Sequence, residues 1–426
     1  MKECTQIRPY TLWFNKSNSK CGTIIGGWSS PPTIEDLKDH LKSHMRWFVS
    51  TQIDKSSRTR ARDLGIRTGS FPTGKKNAIT DVDGVMVGHV SLIEGDGPLV
   101  EGKGPIRTGV TAILPHQGNV FEEKVQAGVY IMNAFGRATG LPQMQQLGTL
   151  ETPVLLTNTL NVPSVASYLL EYILEANPDM GYSPKGSANV VVGECTDNFL
   201  NDIRSRHVKK NHVYQAIKEA SREVQEGSVG AGVGTICLGF KGGIGTSSRM
   251  LPSDLGGFTV GVIVQTNFEG WLCVNGVPVG HEIFRRTGRI GYARGFPYDL
   301  GGSCMCIIAT DAPLDSRNLE RLAKRAPLGL ARCGFFGSNR SGDYFIAFST
   351  ANKIRYESRR TYEAELLHND AMSPLFMATV EAAEEAVLNS IFMATTIIGR
   401  DNNKVEALPV DLAIEICREF KAIGPK

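Results

Sequence analysis

From about residue 66 onward, short apolar runs that carry glycine alternate with longer segments of helical periodicity. The runs are VMVGHV (85–90), GVTAILP (109–115), TPVLLT (152–157), NVVVGE (189–194), TICLGF (235–240), FTVGVIVQT (258–266), CMCIIAT (304–310) and YFIAFS (344–349). Most are apolar at consecutive positions. A strand with one wet face alternates apolar and polar residues, whereas a strand covered on both faces does not. The pattern therefore predicts sheets buried between further layers, an α/β or α+β class. Helices are expected over 163–177, with Asn161 as a cap and Pro163 in the first turn. Others are expected over 213–226, ending at Gly227, over 317–332, interrupted at Pro327, and over 373–396, the clearest of the set.

The 426 residues are enough for a large core, and 41% hydrophobic with 21% charged residues is a globular composition. A net charge of +3 with scattered basic pairs gives no electrostatic case for nucleic acid. No window approaches the roughly 18 apolar residues of a membrane span, and the N-terminus carries no apolar stretch of signal-peptide length. Nine cysteines, an odd number without a CxxC, several inside strand-like runs, indicate reduced buried thiols of a cytoplasmic type. Residues 1–55 differ in texture and read as an N-terminal extension with one helix over 33–48. A charged linker over 54–67 is expected to lead into a main domain over 56–426.

Several chemistries find no support. The glycine-rich run GSVGAGVGTICLGFKGGIGTSSR (227–249) places Lys241 before its last glycines and follows a helix with a strand. Both phosphate-binding fingerprints need other arrangements. The eight histidines form no HExxH, and the i, i+4 pair His40/His44 lacks a zincin carboxylate, so no metal is expected. Cys195 as a thiol nucleophile has no pattern that names its histidine.

One polar segment stands out. GSNRSGDYFIAFST (337–350) opens from a glycine-containing turn straight into an apolar strand, with Ser341 between Asn339 and Gly342–Asp343. Ser, Asn, Gly and Asp are the ordinary residues of a turn. A serine at a strand head can also be exposed, rigidly held and surrounded by hydrogen-bonding groups, as a nucleophile must be.

In order along the chain, RARDLGI (60–66), NAITDVDGVMVGH (77–89), LETPVLLTNTLNV (150–162), VVVGECTDNFLND (190–202), the glycine-rich run, VIVQTNFEG (262–270), VNGVPVGHE (274–282), IIATDAPL (307–314), GSNRSGDYFIAFSTAN (337–352) and VEAAEEAVLNS (380–390) resemble the S58/P1 peptidases. This is the L-aminopeptidase/D-Ala-esterase and β-peptidyl aminopeptidase group. The resemblance covers residues 60 to about 400 and leaves out the first 55.

The resemblance implies an N-terminal-nucleophile-like hydrolase with a four-layer αββα sandwich, made as one chain that cuts itself before its nucleophile. The cut falls between Arg340 and Ser341, and the freed α-amino group of Ser341 becomes a base with a reference pKa of about 7.7–8.0. Glu381 matches the family's catalytic-centre glutamate, although Glu381, Glu384, Glu385 and Asn389 also fit an ordinary solvated helix face. Thr379 stands where the family has a helper serine. Asn267 matches an oxyanion-hole asparagine, and Glu194 the acid that holds a substrate's free amino terminus.

The expected substrate is a small peptide or amino-acid amide, with no cofactor, no nucleic acid and no membrane. A homo-oligomer, a tetramer of processed two-chain units, is implied. Two positions depart from the family pattern. Arg340 replaces the usual small or amide residue before the nucleophile, and Thr196 takes the place of a tyrosine two residues after the acid. Both features favour the third reading, a non-catalytic relative. The other alternative is acyl transfer of the ornithine acetyltransferase type, whose nucleophile is a threonine.

Overall fold

The computed structural model describes residues 58–424 apart from 183, 185, 291–300 and 357–359, together with three short strands N-terminal to them. The chain divides into two compact units, residues 1–57 and 58–426. In the first, Thr5–Ile7, Tyr10–Trp13 and Gly22–Thr23 form an antiparallel three-stranded sheet. The helix expected over 33–48, with His40 and His44, lies outside the described residues.

The second unit carries strands β1 (Met86–Glu94), β2 (Ile106–Leu114), β3 (Glu123–Ala134), β4 (Thr149–Leu150) and β5 (Val154–Thr157). They continue with β6 (Val191–Glu194), β7 (Ile244–Met250), β8 (Thr259–Asn267), β9 (Gly302–Thr310) and β10 (Ser341–Arg355). Its helices are α1 (Leu141–Leu147), α2 (Val162–Ala176), α3 (Lys210–Lys218), α4 (Val279–Thr287), α5 (Ser316–Ala323), α6 (Ala326–Arg332), α7 (Met372–Phe392) and α8 (Val410–Glu419). One sheet has the order β7-β8-β9-β10-β3-β4 and the other β1-β2-β5-β6. Neighbours are antiparallel except β9 with β10 and β5 with β6.

Side-chain alternation along these strands supplies three cores. On β8, Val260, Val262 and Val264 face a core shared with α5, α6 and α7, whereas Ile263 faces the other sheet. On β9, Cys304, Cys306 and Ile308 point to the helices, and Met305, Ile307 and Ala309 between the sheets. The second sheet does the same: Val154 and Leu156 of β5 join the inter-sheet core, and Leu155 joins Val165, Leu169 and Val213 of α2 and α3. The outcome is a four-layer αββα sandwich, as the consecutive apolar runs require.

Strand glycines mark where helices press closest. A Cβ on Gly245 of β7 would collide with the Ala386 carbonyl and lie 2.5 Å from Ser390 N, both on α7. On β1, a Cβ at Gly88 would overlap the Ala216 carbonyl of α3 and sit 3.0 Å from Ala220 Cα.

Four local expectations need correction. The helix expected over 213–226 is Lys210–Lys218, because Ser221 exchanges backbone hydrogen bonds of 2.9 and 3.0 Å with Val87 and extends the chain. Run 235–240 is folded back into a short hairpin, with Leu238 and Gly239 at positive φ. Asn161 takes the N-cap position of α2 as expected, but its side chain makes no capping bond and its amide donates instead to the Val208 carbonyl at 3.0 Å. Within 54–67, the described part is no linker, since Ala61 and Ile66 are fully buried and Arg60 pairs with Glu226.

Overpacking a helix contact of this kind costs about 1–3 kcal/mol. Gly245→Ala should therefore lower unfolding stability by about 3 kcal/mol in urea denaturation, the upper part of that range, because the collision is with helix backbone.

Candidate active site

Ser341 is the first residue of β10 and is buried, while Asn339 and Arg340 before it are exposed. A turn closes on it: Ser341 N–H donates to the Ser338 carbonyl at 2.9 Å. The turn expected from composition is present, and Arg340 within it is exposed. Parallel pairing sets Ser341 opposite Gly302 of β9, whose N–H donates to the Arg340 carbonyl at 3.4 Å. A Cβ on Gly302 would lie 3.2 Å from Ser341 Oγ and 3.2 Å from the Asn267 carbonyl. Glycine at 302 thus lets the serine and the end of β8 converge.

Asn267 is buried at that end. Its Oδ1 accepts Ile236 N–H at 2.9 Å, which fixes the amide orientation and leaves Nδ2 with only a long contact, 3.5 Å to Ser303 Oγ. An amide N–H held this way is a donor available to an oxyanion.

Glu194 ends β6 on the neighbouring sheet. Its carboxylate accepts Arg137 N–H at 3.0 Å and the Thr159 hydroxyl. Burial pushes its pKa above the ordinary value, with Thr159 and Arg137 N–H opposing. Gly136 lies between it and the residue that follows the serine: a Cβ there would be 2.9 Å from Glu194 Oε1 and 3.0 Å from Gly342 Cα. Thr196 is half-buried, its hydroxyl accepting Asn198 N–H at 3.5 Å.

Two residues emerge that sequence reasoning did not assign. Asp343 is fully buried and its Oδ1 accepts the Ser341 hydroxyl at 2.7 Å. Asn133, on β3, donates from Nδ2 to the carbonyls of Ser338 at 3.0 Å, Asn339 at 3.2 Å and Ser341. It clamps the backbone on both sides of Arg340. Asp343 was readable as a strand-head carboxylate two residues from the serine, on the same strand face. Asn133 had no sequence signal, because β3 was itself unassigned.

Thr379 and Glu381 are not brought to this site. Glu381 accepts Ser70 N–H at 2.8 Å and Phe71 N–H at 3.0 Å, and pairs with Arg249 at 3.3 Å. Arg249 is level with Val260, Thr310 and Ser349 across the sheet. Ser349 is eight residues beyond Ser341 on β10, on the order of 26 Å away. The Thr379 hydroxyl is buried and donates to the Leu375 carbonyl at 2.8 Å within α7.

The solvated-face reading fails as well, because Glu381, Glu384, Glu385 and Asn389 are all buried. Glu385 pairs with Arg62 and, at 2.8 Å, with Arg249. Burial pushes the Glu385 carboxyl up, and the hydrogen bond from Arg62 with the charges of Arg249 and Arg62 outweighs it, so its pKa lies below the usual value.

Among the described residues, no group of three or more His, Cys, Asp or Glu could hold a metal ion, and no helix is long and apolar enough to cross a membrane.

The profile of peptidase family S58 matches residues 77–405. The β-peptidyl aminopeptidase BapA of Sphingosinicella microcystinivorans is 42% identical over 377 residues, 86% of this chain and 93% of that protein. Among solved structures, the PH0078 protein of Pyrococcus horikoshii OT3 superposes with a TM-score of 0.80 at 49% identity, covering 85% of this chain and 99% of its own. The L-aminopeptidase D-Ala-esterase/amidase of Ochrobactrum anthropi, described as a prototype serine aminopeptidase with a variant of the Ntn hydrolase fold, gives 0.77 at 36% identity, covering 86% and 99%.

Removing one partner of a buried ion pair costs about 3–5 kcal/mol. Arg249→Met should lower stability by about that amount in urea unfolding, since two buried carboxylates lose their shared cation. Glu381→Gln should retain the turnover of the folded enzyme, measured per folded molecule; loss of turnover with an unchanged melting temperature would return Glu381 to the chemistry.

Proposed function

The chain belongs to peptidase family S58, and we propose that it is a serine aminopeptidase or amidase in which Ser341 is the nucleophile and the chain cuts itself between Arg340 and Ser341. The observation that carries this reading is the position of Ser341. It lies where an exposed turn enters a buried strand, with its hydroxyl hydrogen-bonded to a carboxylate and its preceding carbonyl facing Gly302 N–H. Cleavage there exposes an α-amino group beside the hydroxyl. That amine, with a reference pKa of about 7.7–8.0, supplies the base that an intact amide nitrogen cannot.

The remaining roles follow from the groups around the serine. Asn267 Nδ2 donates to the oxyanion formed when Ser341 Oγ attacks a substrate carbonyl. Glu194, across Gly136 from the residue that follows the serine, takes the substrate's free ammonium group, which selects substrates with an open amino end. Thr196, half-buried and two residues after Glu194, is assigned to the substrate pocket beside it. Small peptides and amino-acid amides fit this arrangement. The related curated protein is a β-peptidyl aminopeptidase, so β-amino as well as α-amino substrates belong in the assay.

Intact mass and a denaturing gel test the processing step: the wild type should resolve into fragments 1–340 and 341–426, and Ser341→Ala should remain one chain without activity. A persistent single wild-type chain that does not hydrolyse aminoacyl p-nitroanilides would overturn the reading. Asn267→Ala should lower kcat about 100- to 1,000-fold, as loss of one oxyanion donor does. Glu194→Gln should raise KM for free-amine substrates more than it lowers kcat.

A further inference from the structure

We propose that Asp343 is the general base of the chain's own cleavage, taking the proton from Ser341 Oγ as that oxygen attacks the Arg340 carbonyl carbon. This rests on the reading that Ser341 is the nucleophile and adds the group that activates it before any free amine exists.

The geometry points to this residue in three ways. First, Ser341 and Asp343 are two apart on one strand, so their side chains share a face, and the hydroxyl donates to Asp343 Oδ1 at 2.7 Å. Second, the other oxygen, Oδ2, is buried and makes no hydrogen bond among the described residues. A structural carboxylate is ordinarily tied down through both oxygens, as Glu381 is. One tied to the reacting hydroxyl alone can take up a proton. Third, the peptide to be cut is held in place from both sides. Asn133 Nδ2 engages the Ser338, Asn339 and Ser341 carbonyls, and Gly302 N–H faces the Arg340 carbonyl. That N–H can donate to the oxyanion that develops there.

The step balances without any further group. The Ser341 Oγ–H proton passes to Asp343 Oδ1 as the bond from Oγ to the Arg340 carbonyl carbon forms, closing a five-membered ring. The Arg340 C–N bond then breaks, and the proton moves from Asp343 to the leaving Ser341 nitrogen. An ester and a free amine result. Water hydrolyses the ester, its hydroxide joining the Arg340 carbonyl carbon and its proton returning to Oγ.

Burial raises the Asp343 pKa to about 7, with the Ser341 hydrogen bond opposing. A carboxyl raised this far is a stronger base than an ordinary one and is still largely ionised above neutrality. Around it lie two thiols, a phenol and a second carboxyl. Cys304 is its partner on β9, and Cys195 follows β6; both thiols are held well above their usual value by burial first and then by neighbouring charge. Tyr344, next on β10, is raised in the same way by burial and then by Glu194 and Asp343, and Asn133, the partner of Asp343 on β3, is an amide that does not titrate. Glu194, across Gly136, is raised by its own burial.

The test follows the full-length chain made by cell-free translation, with conversion of the single chain read on denaturing gels at pH 5–9. Wild-type cleavage should speed up with pH and level off above about 7. Asp343→Asn should slow it at least about 100-fold, the lower end of the effect of a general base. A thiol ionises without that carboxylate, so Ser341→Cys combined with Asp343→Asn should cleave within roughly tenfold of Ser341→Cys alone at pH 8. Two results would overturn the inference while leaving Ser341 as nucleophile: Asp343→Asn cleaving at the wild-type rate, or the double variant being slowed as much as Asp343→Asn. A wild-type chain that stays whole overturns the self-processing reading, and this inference with it.

Discussion

The architecture depends on one constraint: the central strands of the six-stranded sheet are buried on both faces. Every residue of β8 is buried, and β9 is buried after its first residue. Alternate side chains therefore need apolar partners on two sides at once. Helices α5 to α7 supply one side and the four-stranded sheet the other. The second sheet then has an outer face to cover, and α2 and α3 cover it. Four layers are the smallest stack that satisfies both sheets.

The same constraint explains why α7 carries buried acids. The helix lies across β7 and β8 so closely that Gly245 has no room for a methyl group. Its polar face does not reach water, because residues 60–77 fold over it. Glu381 and Glu385 are satisfied there by Arg62, Arg249, Asn77 and backbone N–H groups rather than by solvent. Buried ions of this kind are weak evidence for added stability, but their full pairing prevents a large loss. This network also closes the end of the sheet remote from Ser341, so carboxylate chemistry at the serine has to come from other residues.

The layers were legible because two-sided burial leaves a run of consecutive apolar residues. That signal failed for β7, whose sequence IGTSSRM is polar although six of its seven residues are buried. Its hydroxyls and its arginine bond to α7, the 68–81 segment and the neighbouring strand, contacts that periodicity cannot register. Strand β3 was missed for another reason: its apolar run VYIMNA passes from the core to the surface near the serine. Within the site, Ser341, Asn267 and Glu194 were placed by the resemblance, and the structure gathers them. Glu381 was assigned by the same resemblance, and in the structure its carboxylate is held at the other end of the sheet by Arg249 and the N–H groups of Ser70 and Phe71.

The serine's place at the head of β10 also bears on when its chemistry can begin. In the intact chain, Ser341 N–H is an amide committed to the Ser338 carbonyl. The hydroxyl donates to the Asp343 carboxylate, whose pKa burial raises to about 7. On the proposed reading, cleavage puts an ammonium-forming nitrogen at the same buried spot. A nearby positive charge favours the ionised carboxylate and lowers its pKa. The base that opened the peptide would thereby become a counter-ion, and the new amine would take over at the hydroxyl. A carboxylate at a strand head can serve in both states only if it is buried, close to the serine and not tied elsewhere, and Asp343 meets those conditions.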